Sequence, residues 1–265
     1  MSGKISVAVV GDFQIGKSTL VNALIGDNQA EMGRGRSTTK ENRSYRLADD
    51  VELIDTPGFD AVLKDDATAS DAIMTSNLVL FVRSGKALDG DVYPRIIKQA
   101  IGAGKRGLFI FNCTNCGSWS PEEDDCLEIC KTIESQIIQF EQFFMRLNGR
   151  LVTPVNALWA MYGLGLLDDA ALDVSATEEQ KKKVGADMRK IVRYLKDDLE
   201  LDDGADFKKE ALRLSGVLPI RAELSKLPME VLKRFAKDPQ SEVELVVEAF
   251  VGKFKVYLSK GCNRR

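Results

Sequence analysis

The sequence predicts an α/β fold with a mostly parallel central sheet, and three features carry that expectation. Apolar runs of strand length, from Ile5 to Val10, Leu78 to Val82 and Gly107 to Phe111, alternate with stretches patterned for helix. The octapeptide Gly11-Asp12-Phe13-Gln14-Ile15-Gly16-Lys17-Ser18 joins the first run to a helical stretch that opens near Lys17, a complete G-x-x-x-x-G-K-S in strand–loop–helix context. A third run, Val51 to Asp55, ends in a carboxylate followed by Thr56-Pro57-Gly58, the strand-end position where open α/β sheets bind ligands.

Each element follows from its local pattern. A buried strand ends at Val10, and the glycines then let consecutive N–H groups and the positive end of the helix dipole from Lys17 converge on one phosphate-sized concavity. In that geometry Lys17 reaches β- and γ-phosphates and the Ser18 hydroxyl ligates Mg²⁺, with Thr19 next on the helix. From Asp27 to Lys40 the chain is polar and glycine-bearing and reads as a long loop; Asn42–Leu47 and Val51–Asp55 then read as strands joined by a turn at Ala48-Asp49-Asp50. Asp55 can hold the Mg²⁺ shell while the Gly58 N–H approaches the γ-phosphate. A helix is expected from about Asp91 to Ala103. Ser120-Pro121-Glu122-Glu123 reads as a helix start, with a serine cap and proline first.

Composition bounds the function. With 265 residues, 44% apolar and 29% charged, the chain can bury a sizeable core. A formal charge of −3 argues against broad electrostatic nucleic-acid binding. The start lacks a signal pattern, so the cytoplasm is the expected location, and no run approaches the length of a membrane span. There is no histidine, which excludes histidine triads, ligands and general bases. Phosphoryl transfer fits what is left, because it relies on positioning and charge stabilisation.

Gly11 to Ser18, Thr39 in a glycine-rich loop and Asp55-Thr56-Pro57-Gly58, in that order, resemble the first three motifs of the translation-factor-related P-loop GTPases. The wider string from Val9 through Gly26 is similar to Era-like GTPases and especially to bacterial dynamin-like GTPase domains. The resemblance implies a three-layer P-loop NTPase fold that binds and hydrolyses GTP with Mg²⁺, GDP being the product. Residues 11–19 would cradle the nucleotide, and Ser18, Thr39 and Asp55 would serve the metal. Thr39, or its neighbour Thr38, would close on the metal when the γ-phosphate is present. Phe59-Asp60 stands where some relatives carry a water-orienting glutamine, so hydrolysis must recruit help elsewhere. Arg34 or Arg36 is the alternative, as a finger in cis or in trans across a homodimer formed on the nucleotide face.

Two departures fall in the base site. The guanine-reading Asn-Lys-x-Asp appears as Asn112-Cys113-Thr114-Asn115, in which only Asn112 fits. Cys113 cannot cover the base as a lysine stem does, and Asn115 offers one acceptor where an aspartate offers two, which weakens guanine selectivity by about 1.5–3 kcal/mol. The last motif, Ser-Ala-Lys in relatives, falls at Asn156-Ala157-Leu158 and lacks its lysine, though Asn156-Ala157 still offers a backbone N–H. A xanthine or adenine preference, or a module that binds nucleotide without hydrolysing it, are therefore the rival readings.

Cys113, Cys116, Cys126 and Cys130 lie within 18 residues, close to a zinc-site spacing. Cys126, Cys130, Ile133, Ile137 and Phe140 instead form one apolar helical stripe, which sends the later thiols to the core. Residues from about 164 to 214 read as a helical insertion within a G domain of residues 1–226, and 227–265 as a helical extension; either could bind a protein partner. In the extension, Val243, Val246, Val247, Phe250 and Phe254 recur at helical spacing. Glu242, Glu244 and Glu248 among them argue against lipid contact.

Overall fold

The computed structural model describes residues 4–31, 41–58, 63–85, 92–113, 121, 123–168, 177–197, 200–202 and 206–226. Six strands form one sheet: β1 (Ile5–Val10), β2 (Arg43–Ala48), β3 (Val51–Asp55), β4 (Leu78–Arg83), β5 (Arg106–Asn112) and β6 (Val152–Val155), in the order β2-β3-β1-β4-β5-β6. Only the β2–β3 hairpin is antiparallel, and β1 pairs in parallel with both β3 and β4. The α/β expectation holds.

Strand alternation divides the core into two layers. Val7, Val9, Leu78, Leu80, Val82, Leu108 and Ile110 face one side, where α1 (Lys17–Ile25) and α5 (Ala157–Gly163) pack. Ala8, Val10, Val79, Phe81, Phe109 and Phe111 face the other, against α2 (Leu63–Thr75), α3 (Val92–Gly102) and α4 (Asp124–Ile137). Phe81 and Phe109 stack there with centroids 6.2 Å apart, and Phe144 meets both edge-on at 5.4 and 5.8 Å. With both faces covered, β1, β4 and β5 must be apolar nearly throughout, which is why they read as continuous runs.

α4 departs from expectation at its start. The helix begins at Asp124 with an extended Glu123 before it, so Pro121 lies outside it. Two acids in the first turn, Asp124 and Asp125, answer the helix dipole without a side-chain cap. The Glu123 carboxylate accepts a hydrogen bond from the Tyr194 hydroxyl. The stripe itself is as expected: Cys126, Cys130, Ile133, Ile137 and Phe140 are all buried.

The helices described after α5 fold onto the first layer. Ile191 and Leu195 of α6 (Glu178–Asp197), Ala211 and Leu214 of α7 (Phe207–Leu214), and Val217, Ile220 and Leu224 of α8 (Val217–Ser225) join the core that holds Leu20, Leu24 and Trp159. Tyr194 packs on Trp159 with ring centroids 5.2 Å apart. No helix among the described residues is long and apolar enough to cross a membrane.

Candidate functional site

The site is assembled where β1, β3 and β5 end around the start of α1. Gly16 caps α1 in the left-handed conformation, φ 83°, and no side chain caps the first turn. Those amides are therefore oriented donors for an anion. A Cβ at Gly16 would stand 2.7 Å from Asn112 Nδ2, so the position excludes larger residues on two counts.

Lys17 is buried, and its Nζ donates to the carbonyl oxygens of Gly11 at 3.0 Å and Asp12 at 2.7 Å. Burial lowers its pKa from the ordinary 10.5 to about 8, partly offset by the carboxylates of Asp55 and Asp12. The Ser18 hydroxyl donates to Asp55 Oδ2 at 2.7 Å, so the expected pair meets although 37 residues separate them. Thr56 locks this strand end by donating to the Val9 carbonyl at 2.8 Å. Gly58 presses on the phosphate loop itself: a Cβ there would lie 2.6 Å from Phe13 Cα and 2.9 Å from its nitrogen.

Asn112 and Cys113 part company by strand parity. Asn112 Nδ2 donates to the Ile15 carbonyl at 3.0 Å, and its Oδ1 accepts from the Ala157 N–H at 3.2 Å. One fully buried amide thus ties the phosphate loop to the start of α5. Cys113, one residue on, turns to the other layer, fully buried beside Cys126 and Cys130. The thiol thus belongs to the α4 packing. Hydrogen bonds from Cys113 and Cys130 lower the Cys126 pKa, while the Cys130 thiol is pushed up by its bond to Cys126. Among the described residues no group of three or more cysteine, aspartate or glutamate side chains is arranged to hold a metal ion.

Asn156 also acts structurally. It caps α5, its side chain accepting from the Trp159 N–H at 3.2 Å, while its own N–H donates to the Ser215 carbonyl at 2.8 Å. The Ala157 N–H expected for a base is the one Asn112 engages. Gln14 occupies the left-handed region with φ 57°, and Ile15 is buried under the loop. Thr19 follows in the first turn of α1, partly buried. Thr38, Thr39, Arg34, Arg36, Phe59, Asp60 and Asn115 lie outside the described residues.

Two supports escaped sequence reasoning. The Asp12 carboxylate pairs with Arg83 at the end of β4, whose guanidinium lies over the Tyr93 ring, 5.0 Å from its centroid. The Tyr93 hydroxyl donates to the Val82 carbonyl and accepts from the Asp12 N–H at 3.3 Å. A charged residue ending an otherwise apolar strand was the available signal. Second, Asn22 of α1 holds the outgoing loop, donating to the Ala30 carbonyl at 2.9 Å and accepting from its N–H at 2.7 Å.

Burial raises the Asp12 pKa, with Arg83 and then Lys17 opposing. Arg83→Met is expected to destabilise the protein by about 1–2 kcal/mol at pH 7, because it leaves a half-buried carboxylate without its closest cation. A raised acid pKa means that the charged form is the costly one. The deficit relative to wild type should therefore shrink as pH falls through the Asp12 pKa, which paired denaturant titrations at pH 7 and pH 4 would measure.

A glycine-turned loop at the start of a buried helix, a strand-end carboxylate bonded to that helix's serine and an asparagine tying the loop to the start of α5 form a phosphate-loop arrangement at the carboxyl ends of the strands. Residues 6–112 match the family profile described as 50S ribosome-binding GTPase. Over 114 residues the chain is 33% identical to GTPase Der of Salinispora tropica and 32% identical to GTPase Der of Salinispora arenicola. Each match covers 40% of this chain and 24% of the relative, so the chain spans about a quarter of the length of these curated proteins. Among solved structures it is similar to Era in complex with MgGDPNP and nucleotides of 16S ribosomal RNA, at 14% identity and a TM-score of 0.46, covering 81% of this chain and 99% of that one. It is also similar to Aquifex aeolicus Era bound to GDP and AlF4⁻, at 17% identity and a TM-score of 0.43, covering 57% and 50%.

Proposed function

We propose that this chain binds GTP with Mg²⁺ and hydrolyses it slowly to GDP as a nucleotide-dependent switch. The observation that carries the reading is the Ser18–Asp55 contact at 2.7 Å beside the buried Lys17 ammonium. A hydroxyl and a carboxylate are the hard oxygen donors that suit Mg²⁺, and the divalent ion would supply charge neutralisation between the β- and γ-phosphates. Lys17 would exchange the Gly11 and Asp12 carbonyls for phosphate oxygens, a stronger charge-assisted partner. The open amides at the start of α1 would bind the phosphate chain. Thr39 would close over the γ-phosphate, Gly58 would follow as its contact with Phe13 loosens, and loss of phosphate would release both.

Base choice rests on fewer groups than in a full guanine motif. Asn112 is a brace and Cys113 faces the core, so within the described part of that motif no side chain remains for the base edge. This favours, as a second reading, a base clasped by backbone with relaxed selectivity between guanine, xanthine and adenine. Homodimerisation across the nucleotide face, with Arg34 or Arg36 as finger, and a soluble cytoplasmic setting belong to the same proposal. So do a G domain over residues 1–226 and protein-partner contacts through residues 164–214 or 227–265.

The test is titration of nucleotide-stripped protein with labelled GTP, ATP and XTP in Mg²⁺, followed by phosphate release. Tight GTP binding with turnover is expected, and Ser18→Ala should lose most of the Mg²⁺-dependent gain in affinity, about tenfold or more. ATP or XTP preference would reassign the base. Binding without phosphate release would leave a nucleotide-holding module.

A further inference from the structure

One face of α6 plays no part in the nucleotide site. A groove of about 560 Å³ runs along it, lined by Tyr162, Gly185, Met188 and Val192, with three cations, Arg189, Arg193 and Lys196, and one acid, Asp197, on its rim. Gly185 opens the floor by lacking a side chain, and Met188 gives an adaptable apolar wall. Lys182, Arg189, Arg193 and Lys196 are exposed and recur at spacings of seven, four and three residues, so they share one helical edge. Neither Arg189 nor Arg193 is ion-paired with another described residue. The opposite face of the helix is fixed by Ile191 and Leu195 in the core and by Tyr194 on Trp159. The groove is therefore a preformed apolar trough with a cationic edge.

The same chain contains a segment of the complementary chemistry. Residues 238–250 carry Asp238, Glu242, Glu244 and Glu248 with no lysine or arginine, and Val243, Val246, Val247 and Phe250 among them. These residues lie outside the described ones. The described chain ends at Lys226, just after α8, which packs beside α7, itself a neighbour of α6. The eleven residues between Lys226 and Asp238 can span up to about 40 Å, the width of a domain of this size. We propose that the α6 groove is the docking site of residues 239–250 of this same chain, apolar side chains on Met188 and Val192 and glutamates toward Arg189, Arg193 and Lys196.

The experiment uses the full chain carrying Val246→Glu and Phe250→Glu, which should vacate the groove without touching the described fold. A fluorescein-labelled synthetic peptide of residues 238–256 is then titrated by anisotropy, with circular dichroism confirming that each variant is folded. The peptide is expected to bind the vacated protein at least about tenfold more tightly than wild type, whose own segment competes at high effective concentration. Adding Arg189→Glu and Arg193→Glu should weaken binding about tenfold, and a peptide with Glu242→Lys, Glu244→Lys and Glu248→Lys should recover it. Absence of peptide binding, equal binding to wild type and vacated protein, or indifference to the charge exchange would each overturn the proposal. A wild-type mass on size exclusion that is double that of the vacated protein would overturn it in favour of docking between copies.

Discussion

Asn112→Ala is expected to destabilise the protein by about 2–4 kcal/mol and to abolish measurable nucleotide binding, although the side chain need not touch a nucleotide. The amide is fully buried and makes two tertiary bonds to backbone among the described residues, one to the Ile15 carbonyl and one from the Ala157 N–H. Truncation would leave a buried acceptor and a buried donor unmet, each costing about 1–3 kcal/mol, with a small cavity added. The loss falls on the phosphate loop, because Asn112 Nδ2 also sits against Gly16, the residue that turns the chain into α1. Without that buttress the amides at the start of α1 have no fixed direction. Asn112→Asp separates the contributions: it keeps the acceptor for Ala157 but replaces the donor with an oxygen facing the Ile15 carbonyl. Its stability and its nucleotide affinity should both fall at neutral pH. Denaturant unfolding and fluorescent-nucleotide titration would measure both variants, and an Asn112→Ala protein with wild-type values in both would refute the bracing role.

That brace also marks how far the sequence could be read. The phosphate loop was legible because its chemistry lies in backbone turns set by contiguous residues, and Asp55 because a carboxylate at the end of an apolar strand has few other uses. Asn112 was found from its motif, whereas the place of Cys113 in the core was not read. A period of two sends Asn112 and Cys113 to opposite layers, and the burial of Phe109 and Phe111 on the α4 side already fixed which layer Cys113 would join. The start of α4 was read three residues early, since a serine followed by proline states a local preference. The structure places two acids in the first turn instead, with Glu123 held by Tyr194. The Asp12–Arg83–Tyr93 group left only the charge of Arg83 at the end of an apolar strand as a local sign. Its members are 71 and 81 residues from Asp12 in sequence and meet only because β4 lies beside β1.

These supports share a physical logic. Of the proposed phosphate loop only Ile15 joins the hydrophobic core, so the loop's shape is also imposed from outside by Asn112, Arg83 through Asp12, and Gly58 on Phe13. Polar braces of this kind are directional, and inside a protein they are costly to leave half-made. Substitution of any one should therefore reach the phosphate site before it reaches the sheet.

Lys17→Met should reduce phosphate release from GTP by at least about 100-fold, because the only side-chain cation on the phosphate loop is lost. The same substitution should stabilise the nucleotide-free protein at pH 7. Burial is the main cause that brings the Lys17 pKa from 10.5 to about 8, so the folded state disfavours the charged form. Below pH 8 the amine is charged in folded and unfolded chains alike, and the full cost of burying it, about 3 kcal/mol, is present. Between pH 8 and 10.5 the folded protein releases the proton first, and the cost declines; wild type should gain on Lys17→Met across that interval. Tyr93 does not intervene below pH 10, since burial raises its pKa above the ordinary value. Phosphate reverses the preference, because a triphosphate selects the ammonium form. Wild-type affinity for GTP should therefore fall above pH 8, approaching tenfold per unit, whereas Lys17→Met should bind weakly with no such slope. Calorimetric titrations from pH 7 to 9.5 in buffers of different ionisation enthalpy would detect the proton taken up with nucleotide. A wild-type affinity flat across that range, with no proton uptake, would mean that the Lys17 ammonium stays on the Gly11 and Asp12 carbonyls and takes no part in holding phosphate.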